Sequence, residues 1–296
     1  MKQKISILLV IVLLVNINTT NVFAETNRPF NKDGSVYLSA EEKTEFQISK
    51  DKEYKKQLKH GLVKQSDKDY IEALMLEANS FYSDKSVIYS ELEEYGCYVI
   101  NPSDDEIVTF SDASDIYLST PTIYYNAYNM TWTVTCGGNW TNNRWSYDNP
   151  FLGSVGGQDG FGVGFTQVSG NNTGAVVSAS AYLYDGISTY SSTSYRSDGD
   201  GSKGFGFRLQ DYTRLEQSTM LTRYVGHTFS GLCNYDRYFG SMSGIATAYY
   251  IHTWSSATIS SVSFGIEGKT AGINATISGS SNSFIAYSAD RRFGVY

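Results

Sequence analysis

Histidine is scarce in this 296-residue chain: three copies, His60, His227 and His252. A Ser-His-Asp or Cys-His system must therefore draw on the last two. The one crowded grouping of nucleophile, base and acid is Cys233 with His227 and Asp236. No nucleophile elbow and no Gly-Asp-Ser-Gly segment surrounds it, so the thiol and imidazole read as structural and no catalytic residue is assigned. Zinc spacings are missing, as is a His-Glu-x-x-His helix. Residues 197–202 read Ser-Asp-Gly-Asp-Gly-Ser, with oxygens on Asp198, Asp200 and Ser202. Lys203 and Leu209 stand where an EF-hand loop needs Gly and Glu. The string reads as a solvated hairpin loop, and neither a metal nor a cofactor is expected. From Ser119 onward the only glutamates are Glu216 and Glu267, and nothing pairs carboxylates for glycoside hydrolysis.

Long apolar runs are missing too. Ile5 to Val15 is apolar apart from Ser6, too short for a bilayer that takes about 20 helical residues. Preceded by Lys2 and Lys4 and followed by Val22-Phe23-Ala24, it reads as a signal peptide over residues 1–24. The expectation is a secreted, extracellular protein, and the residue usage fits a Gram-positive bacterium. Export places Cys97, Cys136 and Cys233 where disulfides persist. Three cysteines cannot all pair, and the expectation is a Cys136–Cys233 bridge with Cys97 apart.

Charge is uneven along the chain. Residues 25–118 carry 11 Lys and Arg against 20 Asp and Glu, whereas residues 119–296 carry 10 of each. The first stretch reads as an acidic α+β leader or pro-region, the second as a neutral β-domain. A processing protease would cut between Leu118 and Thr122. No basic stripe is visible, so nucleic acid is not an expected partner.

Local patterns give the elements. Residues 25–65 are polar with little periodicity and are expected to be loosely ordered. Ser66 looks like a helix cap, followed by Tyr70, Ile71, Leu74, Met75 and Ala78 at helical spacing. A shorter helix is expected over Val87 to Tyr95. Strands are expected at Tyr98 to Ile100 and Ile107 to Phe110, joined at Asn101-Pro102. Beyond Pro121 the period becomes two. Phe161, Val163 and Phe165 alternate with Gly160, Gly162 and Gly164; Phe205, Phe207 and Leu209 repeat the theme. Only Leu209 to Tyr224 could hold a helical turn. The fold class is mainly β: a small α+β N-terminal region followed by an antiparallel β-sandwich or Greek-key barrel.

Two features bear on function. Trp132, Trp140 and Trp145 fall close together beside Tyr147 and several Asn, residue types that stack on sugar rings or sit at membrane interfaces. Packing against the core is their alternative reading. Ala257 to Ser283 reads as a hairpin whose arms have one apolar face and one Ser/Thr/Asn/Gly face, without proline. Membrane-inserting hairpins have that length and alternation, as do ordinary half-exposed ones. Together these patterns point to a secreted, non-enzymatic protein acting on the envelope, membrane or surface glycan of a target cell. It would be a bacteriocin-like antibacterial protein or a toxin released from a proprotein. The alternatives are a carbohydrate-binding or adhesive cell-wall module and a secreted hydrolase.

Overall fold

Three helices begin the described chain: α1 (Glu45–Lys59), α2 (Lys68–Glu77) and α3 (Lys85–Glu94). Sixteen strands follow: β1 (Cys97–Val99), β2 (Ile116–Leu118), β3 (Thr122–Asn126), β4 (Thr131–Trp140), β5 (Gly153–Ser154), β6 (Asp159–Ser169), β7 (Val176–Tyr184) and β8 (Thr189–Thr193). Then come β9 (Gly204–Leu209), β10 (Tyr212–Glu216), β11 (Leu221–Val225), β12 (Thr228–Tyr235), β13 (Ser243–Thr253), β14 (Thr258–Glu267), β15 (Thr270–Ser278) and β16 (Ser283–Phe293). The computed structural model describes residues 45–64, 67–100, 115–148, 152–169, 174–185, 189–254, 257–267, 270–278 and 283–293. The expected signal peptide, the Asn101-Pro102 turn and the strand at Ile107 to Phe110 lie outside them.

All pairings between named strands are antiparallel. A seven-stranded sheet runs β1-β3-β4-β12-β7-β8, with β2 also on β4, and a four-stranded sheet runs β16-β13-β6-β9. Smaller sheets are β11-β10-β5 and the hairpin β14-β15. The period-two pattern explains how the two large sheets face one another. Phe161 stands opposite Phe207 and Val163 opposite Phe205, so one face of the four-stranded sheet is aromatic and aliphatic. It meets Val134, Cys136, Ala181, Phe229 and Cys233 of the larger sheet in the main core. This is the expected β-sandwich. Leu209 to Tyr224, expected to turn helically, holds β10 and β11 instead. Thr213 and Leu215 pair with Tyr224 and Thr222, and Met220 takes a φ of 58° at the hairpin bend.

Each outer face of the sandwich carries a cover. α2 crosses β12 and β4. The Asp67 side chain caps it by accepting from the Tyr70 N–H, one residue beyond the cap expected at Ser66. Ile71, Leu74, Met75 and Ala78 pack with Ile88, Leu92, Cys97 and Tyr124 in a cluster separate from the main core. The sheet beneath α2 is hydroxylic. Buried Asn79 donates to the Cys136 carbonyl and Ser230 Oγ at 3.2 and 3.0 Å, and accepts from Thr135 Oγ1 at 3.0 Å. Asn234 donates to Glu72 at 2.9 Å. The other cover is the hairpin β14–β15, on the far side of the four-stranded sheet.

The composition break at Ser119 has no counterpart in the packing. Lys43–Tyr296 form one compact unit. β1 pairs with β3 and β2 with β4, while Tyr54, Tyr98, Ile116 and Leu118 belong to the main core. α1, unexpected from its polar sequence, is docked by the Tyr125 hydroxyl donating to Asp51 at 2.8 Å. The stretch expected to be cut is also shielded: Leu118, Ser119 and Thr122 are buried, the Ser119 N–H donates to the Gly137 carbonyl, and Arg291 Nε donates to the Pro121 carbonyl.

Candidate functional site: the hairpin and its bed

The arms of β14–β15 are ten and nine residues long, within the range of about 9–11 that spans a bilayer as tilted strand. Val262 stands opposite Ala275 and Phe264 opposite Ile273, which puts the apolar side chains on one face. Ile259, Val262 and Ile273 are buried, while Ser261, Ser263, Asn274 and Thr276 are exposed. The apolar face packs with Tyr249, Ile251, Ile285 and Tyr287 in a cluster distinct from the main core.

The bed is made by the glycines of the period-two pattern. With Phe161, Val163 and Phe165 turned to the core, Gly160, Gly162 and Gly206 present bare backbone to the hairpin side. A Cβ on Gly160 would come 3.0 Å from Ile259 Cδ1, and one on Gly206 would come 2.0 Å from Tyr249 Oη. Glycine in a strand commonly marks such a close approach.

The hairpin enters the chain between β13 and β16, which are themselves partners. Thr253 stands opposite Ser283 at the end of that pairing, and Thr258 stands opposite Ser278 at the start of the hairpin. Five residues forward on one strand match five residues back on the other. The sheet pair and the hairpin therefore share one register.

A buried charged cluster lies at the foot of the hairpin. His252 Nδ1 is 2.9 Å from Asp159, and Nε2 is 3.6 Å from Asp148, an ion-pair distance. The Tyr250 hydroxyl also donates to Asp159, and the Thr253 N–H donates to it at 3.2 Å. Burial would lower the His252 pKa, but Asp159, Asp148 and Asp211 raise it to about 10, so the imidazole is charged. Burial, and then the neighbouring Asp159, hold Asp211 well above the usual carboxylate range, and the Tyr224 hydroxyl donates to it at 2.6 Å. His252 Nδ1, the Tyr250 hydroxyl and the Thr253 N–H all meet Asp159, which ties β13 to β6 at the sheet end from which the hairpin departs.

The residues singled out from sequence separate on this frame. Trp132 and Trp140 are 3% and 0% exposed, and Trp140 packs edge-on against His252 and Tyr250. They are core residues, because β4 is covered on both faces, and the expected stacking surface is not formed by them. Trp145 stacks on Tyr224 at 4.2 Å, and Tyr147 alone of the four is largely exposed. Cys97, Cys136 and Cys233 are all free and buried, which corrects the expected Cys136–Cys233 bridge. Cys233 stands opposite Val134 and Cys136 opposite Gly231, so the two are diagonal, and diagonal neighbours are about 7–8 Å apart, beyond ordinary disulfide reach. Burial pushes the Cys97 and Cys233 thiols up to about 12 and raises Cys136 as well, leaving them unreactive. His227 precedes β12 and Cys233 lies near its other end, about 20 Å along an extended strand. Asp236 caps a short turn by accepting from the Tyr238 N–H. Asp200 accepts from Ser202, and Glu216 is paired with Arg223 at 2.9 Å.

Among the described residues no helix is long and apolar enough to cross a membrane, a statement that does not extend to strands. No family model matches the chain, and no curated protein matches it. A solved chain named "Pore forming protein" is similar at 8% identity, covering 64% of this chain and 94% of that one, with a TM-score of 0.28. At that score the two do not share an arrangement on which function can be argued.

Proposed function

We propose that this is an exported, non-enzymatic protein that acts on the membranes of target cells, with β14–β15 as the segment that enters the bilayer. The observation that carries the reading is the common register of β13–β16 and β14–β15. Moved off its bed, β14–β15 would carry the β13–β16 pairing onward as one ribbon without any slip, β13 keeping its pairing with β6. Its distal part would carry one apolar and one polar face. Because β14–β15 rests on a cluster of its own, its departure leaves the main core closed. Lifting its face into water costs about 1.5–3 kcal/mol for each fully buried apolar side chain, and a bilayer interior offsets that cost. A lone ribbon has unpaired edges, which lipid does not tolerate. Closing a barrel of about eight strands or more therefore takes several copies of the chain.

The test is leakage from phosphatidylcholine–phosphatidylglycerol vesicles, combined with an environment-sensitive dye at Val262→Cys or Ser263→Cys. The expected result is leakage with a lipid signal at 262 and a water signal at 263. No leakage and a water signal at both positions would overturn the reading.

A second reading, binding to a surface glycan, is favoured by a cleft of about 240 Å³ between α2 and the sheet. It is lined by Lys68, Glu72, Asn126, Tyr128, Thr131 and Asn234 among others. Tyr128 is half exposed there and offers a ring beside amides and hydroxyls. Glycan-array binding lost on Tyr128→Ala, without vesicle leakage, would prefer it. Proteolytic processing belongs to the proposal only upstream of Cys97, since β1 and β2 are core strands. The N-terminal sequence of the secreted product tests this, and a start beyond Ser119 would contradict it.

A further inference from the structure

We infer that the Asp-Gly-Asp-Gly loop and Arg208 form a latch holding β14–β15 against the sheet, an inference that rests on the reading of this hairpin as the inserting segment. β14 pairs with β15 along one edge only. Its other edge is met by two side chains. Arg208 Nη1 donates to the carbonyls of Ile259 and Ser260 at 2.9 and 3.0 Å. The Val262 N–H donates to Asp198 Oδ1 at 3.0 Å, and Arg208 Nε lies 2.9 Å from Asp198 Oδ2, an ion pair whose carboxylate is 7% exposed. These contacts fall where the hairpin is irregular, at the register shift between Ile259 and Ser261. A bulge leaves backbone groups outside the ladder, and a guanidinium with its fork of donors can gather two carbonyls at once.

The loop is itself fixed. The N–H groups of Ser197 and Asp198 both donate to the Gly206 carbonyl, and the Gly206 N–H donates back to the Asp198 carbonyl. The Arg208 N–H donates to Ser197 Oγ at 3.0 Å. Phe264 completes the contact. A Cβ on Gly199 or Gly204 would come 2.8 or 2.5 Å from its ring, and both glycines have positive φ, 80° and 149°. The string that fails as an EF-hand thus has a purpose of another kind: its first glycine, with Gly204 just beyond it, seats an aromatic ring, and its first aspartate grips the neighbouring strand. The charges of the latch belong to the body of the protein. The hairpin contributes only backbone groups and Phe264, and would leave no charged latch residue in lipid.

The test uses the full chain with Asp198→Asn and, separately, Arg208→Lys, neither of which changes side-chain size much. Amide hydrogen exchange is followed without lipid, beside dye release from the same vesicles. Exchange over 258–278 is expected to quicken about tenfold or more while β6 and β13 keep their protection, and dye release is expected to start sooner. Unchanged exchange over 258–278 in both variants would overturn the latch, and leakage by the parent protein would then leave the insertion reading standing. Faster exchange without leakage from parent or variants would uphold the latch and sink insertion.

Discussion

Both outer covers of the sandwich rest on apolar clusters of their own, and they differ in the polar groups that fix them. α2 lies on a hydroxylic face and is held by Asn79, whose amide serves Cys136, Ser230 and Thr135 at once. The hairpin packs apolar side chains on Tyr249, which lies across Gly162 and Gly206, and on Gly160, with one charged latch at its edge. Uncovering the first face would expose hydroxyl and amide groups that water satisfies together with the apolar cluster around Leu74, Met75 and Leu92. Lifting the second cover would free an apolar surface with few polar groups of its own. Each cover rests on a cluster separate from the main core.

The sharpest way to break this comparison is to fill the glycine bed. Gly162→Val would bring a Cβ 2.1 Å from the Phe205 carbonyl and 2.8 Å from Tyr249 Oη, and should cost about 3 kcal/mol in urea unfolding. A variant as stable as the parent would mean the bed needs no bare backbone. Next is the polar anchor. Asn79→Ala strands the buried groups it serves and should cost about 1–3 kcal/mol; an unchanged urea midpoint would remove the hydrogen-bonded attachment of α2.

A smaller effect comes from pH. The folded His252 pKa is about 10 against an ordinary 6.5, so its stabilisation is complete below about pH 6.5, shrinks as pH rises and is gone above about 10. Asp211, also raised, acts in the same direction. The Tm should fall between pH 6.5 and 10, and His252→Gln should flatten that slope. A Tm that rises through the window would contradict a charged imidazole. The smallest effect expected is none: dithiothreitol should leave the Tm unchanged, since Cys97, Cys136 and Cys233 are free, and a drop would reinstate a bridge.

Much of this was legible in the residues. The Phe-Gly alternation in β6 and β9 gives strands and their core face from local pattern alone, and the hairpin follows from its dyad of apolar and hydroxylic positions. What the glycine face covers is a non-local fact, set by a segment about a hundred residues further on. Burial of Trp132 and Trp140 likewise depends on β4 lying at the centre of a covered sheet, which their aromatic neighbours do not reveal. The charge break at Ser119 does not show in the packing, because charge reports the outer surface and not the core. β1 falls within one residue of the strand expected at Tyr98 to Ile100, whereas β2 is a three-residue strand too short for periodicity to register. α1 is rich in Lys, Glu and Gln, good helix formers, but lacks the apolar stripe that would have announced it.

Two ladders that already count in step have no alignment to search for. On the insertion proposal, carrying the pairing of β13–β16 onward into β14–β15 asks for no melting and re-zipping of either ladder. The speed of that step should therefore follow the nanosecond-to-microsecond scale of loop motion once the restraints are off. The delay before action would be set by whatever undoes those restraints.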